Sequence, residues 1–118
     1  MPPRIALTVA TNSPDTVLSP FFRFAPWLMV TDQAGTGPKF LRNEDQTDDA
    51  LVDLICGQSP DILISGFISV SAAKRLADTG IEIRIGPCSV PGRTLMSEVD
   101  RLPTAPQVLD FEAREVGA

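Results

Sequence analysis

Apolar residues alternate with small or polar residues near the start of the chain and form a short unbroken run farther on. Ile5, Leu7 and Val9 alternate within residues 4–10, a pattern typical of a strand with one face in a core. Residues 61–65 form an apolar run typical of a buried central strand. Three further short apolar segments are interpreted in the same way. The five predicted strands are residues 4–10, 27–31, 38–42, 61–65 and 81–85.

Other segments repeat their apolar residues every three to four positions, as one face of a helix requires. In the first of them Leu51, Leu54 and Ile55 share a face, and Gly57 is predicted to end the helix. Asp48 and Asp49 in its first turn suit the positive end of the helix dipole. Together with Glu44 and Asp45 they could instead bind a hard cation; the alternative is that this acidic group caps the helix and faces solvent. The predicted helices are residues 47–56, 70–79 and 91–102.

The predicted elements follow one another in the order βββαβαβα. Because parallel strands joined by helices cross over right-handed, the simplest assembly is a mixed five-stranded sheet of order 3-2-1-4-5. Its second strand runs antiparallel, and the helices pack on the sheet. This α/β domain is predicted to cover residues 1–103, with a loosely held tail at 104–118. Ligands bind such sheets outside the carboxyl ends of the parallel strands, which places the loops 11–20, 66–69 and 86–89 together.

Composition narrows the possible partners and location. The net charge is −5 and the ten basic residues are scattered, which argues against binding nucleic-acid phosphates. The chain has no apolar run long enough to cross a membrane and no signal-peptide pattern at its start, so we expect a cytoplasmic protein without membrane contact. Its two cysteines, Cys56 and Cys88, fit a reducing compartment.

Several catalytic classes lack the residues they need. There is no histidine and no tyrosine, so a serine or cysteine nucleophile would have no imidazole base. Two isolated cysteines cannot complete a structural zinc site. The glycine-rich phosphate-binding motifs are also absent from the sequence. We therefore expect a protein that is not an enzyme.

Three places at the predicted sheet edge could carry a site. Residues 66–69 follow a buried strand and open a helix, where N–H groups favour an anion; the alternative is an ordinary turn capped by Ser69 or Ser71. Cys88 precedes the third helix and could ligate a soft metal as a thiolate, or simply be a small, partly buried residue. Arg23, among phenylalanines, could meet a negative ligand or be a surface charge with its stem over the aromatic rings.

These segments resemble the dinitrogenase iron–molybdenum cofactor biosynthesis and binding family, which includes NifX-type carriers and orange proteins. Residues 19–27 (S-P-F-F-R-F-A-P-W) are similar to the family's S-x-H-F-G-R-A-P-x-F entry to its second strand. Residues 61–69 (D-I-L-I-S-G-F-I-S) and 80–86 (G-I-E-I-R-I-G) are similar to D-V-V-I-A-G-G-I-G and G-I-x-V-Y-x-G. The resemblance implies a ribonuclease-H-like, three-layer fold. The sequence departs from the family's pattern at Phe21, which stands where the family often has a histidine. Because the chain has no histidine, ligation of a metal by imidazole is excluded.

The resemblance implies a non-catalytic carrier or store for an anionic molybdenum-containing metal–sulfur cluster, with or without copper or iron. Backbone N–H groups, apolar walls and one arginine would hold the cluster, with Cys88 as a candidate metal ligand. A protein partner in cofactor delivery, or a larger complex, is a further expectation. The predicted binding residues are Asn12, Ser13, Ser19, Phe21, Phe22, Arg23, Gly66, Phe67, Ile68, Ser69, Cys88 and Ser89.

The alternative function belongs to another class. A degenerate member of the family could act as a protein-interaction or regulatory module through an exposed aromatic patch, because apolar surface of that size marks a partner. The predicted patch consists of Phe21, Phe22, Phe24 and Trp27.

Overall fold

The structure is a computed structural model and describes residues 3–13, 15–32 and 37–104. Five strands form one mixed sheet of order 3-2-1-4-5, which confirms the predicted topology. The second strand is antiparallel to both of its neighbours, whereas the fourth is parallel to both of its own. The strands are β1 (Arg4–Val9), β2 (Trp27–Asp32), β3 (Lys39–Arg42), β4 (Ile62–Ser65) and β5 (Glu82–Ile85).

Two longer helices and one short helix connect or follow the strands. They are α1 (Asp48–Gln58), α2 (Val70–Asp78) and α3 (Gly92–Ser97), and a single 3-10 turn follows at Val99–Arg101. Thr47 caps α1 and Ser69 caps α2, each accepting a hydrogen bond from the backbone three residues on. The longest of the described helices has 11 residues, and none of those described could cross a bilayer.

Two predicted helix boundaries are wrong. The first helix continues through Gly57 and ends at Ser59, which adopts the left-handed conformation with φ of 51° and donates its N–H to the Cys56 carbonyl. A helix end needs a left-handed residue but not a glycine, and Pro60 prevents further extension. The predicted third helix divides at Glu98, whose φ of −113° is not helical.

The sheet buries both of its faces, which gives three layers. On one face α1 and α2 cover the core built around Ala6, Leu63 and Ile83. On the other face α3 covers the core built around Leu7 and Ile64. Side chains of the first strand alternate between these two cores. Ile5, Leu7 and Val9 face α3, while the smaller Ala6 and Thr8 are also buried and lie on the face that α1 and α2 cover.

The last described residues, 103 and 104, lie beside the last strand. The N–H of Ile85 donates to the Pro103 carbonyl at 2.9 Å, and Thr104 forms an antiparallel bridge with Arg84. Thr104 is the first residue of the predicted tail, and the remainder of that tail lies outside the described residues.

Candidate functional site

Residues 19–22 cover the carboxyl end of the sheet. They comprise the end of the loop predicted at 11–20 and the two phenylalanines that follow it. Ser19 donates its N–H to the Thr8 carbonyl at 2.9 Å, which fastens the segment to β1. The Phe67 N–H donates to the Pro20 carbonyl at 2.8 Å, and the Phe22 N–H donates to the Phe67 carbonyl at 2.7 Å. The two phenylalanine-bearing segments are therefore joined by paired backbone at the end of β4.

Gly66 makes this close approach possible. A Cβ atom at this position would lie 2.5 Å from the Ser19 carbonyl oxygen and 2.6 Å from that of Pro20. Both neighbours are backbone atoms, so they cannot move aside as a flexible side chain would. Gly66 is thus required by packing against this segment, while any direct role in ligand binding stays a prediction.

A surface groove of about 270 Å³ opens between the two joined segments and the start of α1. We call it the aromatic groove. It includes several predicted site residues and also Asp48, which was predicted to lie at the start of a helix and not among the residues that bind the cluster. Its lining residues are Phe21, Phe22, Arg23, Phe24, Asp48, Phe67, Ile68 and Ser69.

The aromatic residues do not form the patch that the sequence predicts. Phe22 is only 1% exposed because it packs in the core beneath α1 and α2, and Trp27 packs with the opposite core. Phe21 and Phe67 are 55% and 66% exposed, and their ring centroids lie 6.2 Å apart. The exposed apolar surface around the groove consists of Phe21, Phe24, Phe67 and Val70.

Arg23 is the cation of the groove. Its guanidinium carbon lies 5.0 Å from the Phe24 ring centroid, a cation–π contact that fits the interpretation of a surface charge over an aromatic ring, while its contact with a negative ligand stays a prediction. Among the described residues it has no ion-pair partner. The backbone here is fixed by the buried Asn43, whose Nδ2 donates to the carbonyls of Arg23 at 3.0 Å and Ala25 at 2.8 Å. Sequence reasoning missed Asn43, because a polar residue after a strand carries no distinctive signal.

The predicted anion donors at residues 66–69 are partly occupied. The N–H of Phe67 is bound to Pro20, as described above. Ser69 Oγ accepts from the Ala72 N–H at 3.1 Å and donates to Asp48 Oδ2 at 3.0 Å. Within the part of the chain that the structure describes, the N–H groups of Val70 and Ser71 have no hydrogen-bond partner. The same holds for the N–H groups of Ile68 and Ser69, so the donors left for a ligand run from Ile68 into the first turn of α2.

The remaining predicted residues do not line the groove. The hydroxyl of Ser19 donates a hydrogen bond to the Phe21 carbonyl at 3.3 Å. Cys88 is half-buried against the core beneath α3, on the other face of the sheet, and Ser89 follows it. Asn12 and Ser13 are exposed in the first loop.

That first loop is fastened toward α3 by two contacts. Its Thr16 carbonyl accepts the Gly92 N–H at 2.8 Å, and its Asp15 pairs with Arg93 at 3.1 Å. No group of three or more cysteine, aspartate or glutamate side chains in the described ranges could hold a metal ion. A metal-containing ligand in the groove would therefore need to be held without a cluster of protein ligands.

The fold is shared with solved structures of low sequence identity. The apo form of the orange protein from Desulfovibrio gigas superposes with a TM-score of 0.81 at 20% identity, covering 89% of this chain and 94% of that chain. A candidate NifB protein of the DUF35 family from Thermotoga gives 0.66 at 14% identity, covering 84% and 87%. No family model and no curated protein matches the sequence. At these identities the likeness establishes the fold.

Proposed function

We propose that this protein is a non-catalytic carrier or store for an anionic molybdenum-containing metal–sulfur cluster, which it binds as cargo in the aromatic groove. The observation that carries the proposal is Arg23, a cation without an ion-pair partner among the described residues, in a groove that several phenylalanine rings line. The fold shared with the orange protein supports the same function. The net charge of −5 and the reduced cysteines fit a cytoplasmic protein that does not bind nucleic acid.

The groove suits a sulfide surface in three ways. The edges of aromatic rings carry partial positive charge and can contact sulfur, and Phe21, Phe24 and Phe67 supply such rings in the groove. The Arg23 guanidinium is weakly hydrated and loses little when it meets a soft anion. The partner-free N–H groups of Val70 and Ser71 follow directly after Ser69, which lines the groove, and the helix dipole adds attraction for an anion there.

In this proposal the cargo is held non-covalently. Cys88 does not line the groove, so substituting it should leave binding there unchanged. If Cys88→Ser abolished binding, the cargo would instead lie on the α3 side of the sheet, near Ser89. Copper or iron as a second metal is part of the proposal and would be detected by elemental analysis of the bound fraction.

Reconstitution tests the proposal directly. The purified chain is incubated with tetrathiomolybdate, with and without copper or iron, and passed through gel filtration. We expect visible charge-transfer absorption to elute with the protein, and Arg23→Gln to weaken the affinity for the cluster about ten- to hundredfold, since a charged hydrogen bond contributes roughly 1.5–3 kcal/mol. Arg93→Gln is the matched control, because Arg93 lies on the other face of the sheet. If the absorption never stays with the protein, the proposal is wrong.

The exposed apolar surface favours a second function, contact with a protein partner. Phe67 and Val70 are 66% and 60% exposed, more than large apolar residues need to be in a domain with two filled cores. A pull-down from the native host with Phe67→Ser, compared with the wild type, separates the functions. Loss of a partner without loss of bound metal would favour this alternative.

A further inference from the structure

Asp48 places a carboxylate of the protein itself in the aromatic groove. It is half-buried, belongs to the first turn of α1, and accepts the hydrogen bond from Ser69 Oγ at 3.0 Å. Since Ser69 is the N-cap of α2, the carboxylate lies at the beginning of two helices. Helix N-termini favour an anion, and here the protein already supplies one.

The charged side chains that line the groove are Arg23 and Asp48, so its own charge sums to zero. An incoming anion is attracted by one and repelled by the other. The repulsion grows in proportion to the charge of the anion, and the cost of removing its water grows faster still. Contact with the aromatic wall, by contrast, grows with the area of the anion and is insensitive to its charge.

We propose that Asp48 is a specificity-determining residue that limits the charge of the cargo. It disfavours compact, highly charged oxyanions such as molybdate, sulfate and phosphate, and it leaves the groove to larger, sulfide-covered anions of low charge. This inference rests on the proposed function, because it concerns which anion the same groove accepts.

The expected effect follows from Coulomb's law. For two unit charges about 6 Å apart in a partly solvated groove, with an effective dielectric constant of about 40, the repulsion changes affinity by about tenfold. A doubly charged anion would then lose about a hundredfold. Removing the Asp48 charge should therefore change the preference between singly and doubly charged anions by about tenfold.

Two tetrahedral thioanions isolate this effect. Tetrathiorhenate carries one negative charge and tetrathiomolybdate carries two, while both present four sulfides. Their dissociation constants are measured by equilibrium dialysis against the full chain at fixed ionic strength, with the coloured anions followed by absorbance. For Asp48→Asn we expect the affinity for tetrathiomolybdate to rise about tenfold more than the affinity for tetrathiorhenate, and the difference to shrink at high salt.

Asp49→Asn is the matched control. Asp49 is the next residue of the same helical turn, but its side chain is 86% exposed and pairs with Arg75. The substitution removes the same net charge without touching the groove, so the ratio of the two affinities should stay at the wild-type value. Asp48→Ser, which keeps a short polar residue at the helix start, gives the same expected shift if the asparagine variant does not fold.

The outcomes separate this inference from the proposed function. If the wild type binds both thioanions and neither Asp48 variant changes their ratio, Asp48 does not set the charge limit, while the proposed cargo stands. If neither the wild type nor any folded variant binds either thioanion, the proposed function fails and this inference fails with it. A ratio that shifts equally in Asp49→Asn also overturns the inference, because general charge would then explain it.

Discussion

Replacing Gly66 with alanine tests whether the two joined segments depend on close backbone contact. The added Cβ would lie 2.5 Å and 2.6 Å from the Ser19 and Pro20 carbonyl oxygens, so the segments must separate. Separation breaks the two hydrogen bonds that involve Phe67, at about 1 kcal/mol each. Overpacking adds about 1–3 kcal/mol. The sum, about 3–5 kcal/mol, is a large share of the roughly 5–15 kcal/mol that stabilises a typical domain.

Urea unfolding and calorimetry measure this loss. For a domain of this size, 3–5 kcal/mol lowers Tm by roughly 10–25 °C. Gly57→Ala is the control of opposite sign, because Gly57 is inside α1 and a Cβ there meets nothing within 4 Å. Alanine's better helix propensity should stabilise that variant by about 0.5–1 kcal/mol. If Gly66→Ala unfolded like the wild type, the contact at this glycine would not be a constraint on the fold.

Three further predictions test the core and the support of the groove. Phe22→Ala should cost about 3–5 kcal/mol in urea unfolding and Phe21→Ala less than about 1, because only Phe22 is buried; equal losses would contradict that placement. Ser65→Ala should lower the free energy of unfolding by about 1–3 kcal/mol, because it leaves the buried Thr8 hydroxyl without its acceptor. Adding Thr8→Val should recover part of this loss; if the two effects simply add in a double-mutant cycle, the two side chains are not coupled. Asn43→Ala removes two hydrogen bonds to backbone carbonyls, so it should lower stability by about 2 kcal/mol and speed amide exchange in residues 23–25; unchanged exchange there would show that Asn43 does not hold this segment.

The strand order could be predicted from the sequence because each strand carries its own period and the crossover rule leaves few arrangements. The ends of the helices were predicted less accurately than the strand order. Ser59 ends α1 in a left-handed conformation that a residue other than glycine adopts only when its surroundings support it, and propensity favoured Gly57. Likewise, the spacing of Leu95 and Val99 fits either a continuous helix or α3 followed by a 3-10 turn.

The site was predicted only in part, for a physical reason. Segments 19–24 and 66–69 meet because the strands that precede each of them are neighbours in the sheet, which topology alone implies. Which side chains point outward depends on packing, and so the burial of Phe22 was not predictable. The interaction of Asp48 with Ser69 joins residues 21 positions apart on different helices and has no signature in either segment.

The paired backbone at residues 17–22 also bears on how fast a ligand can exchange. These residues form the rim of the groove and are held by hydrogen bonds to β1 and to the segment after β4. Moving the rim would therefore require local unfolding and not merely the displacement of a loop. A cargo in the aromatic groove would then enter and leave without waiting for the rim. Its arrival rate would follow diffusion and charge, and its residence time would follow the strength of its contacts. If the proposed function holds, transfer to a recipient would then be set by the relative affinities of the two proteins for the cargo rather than by an opening of this segment.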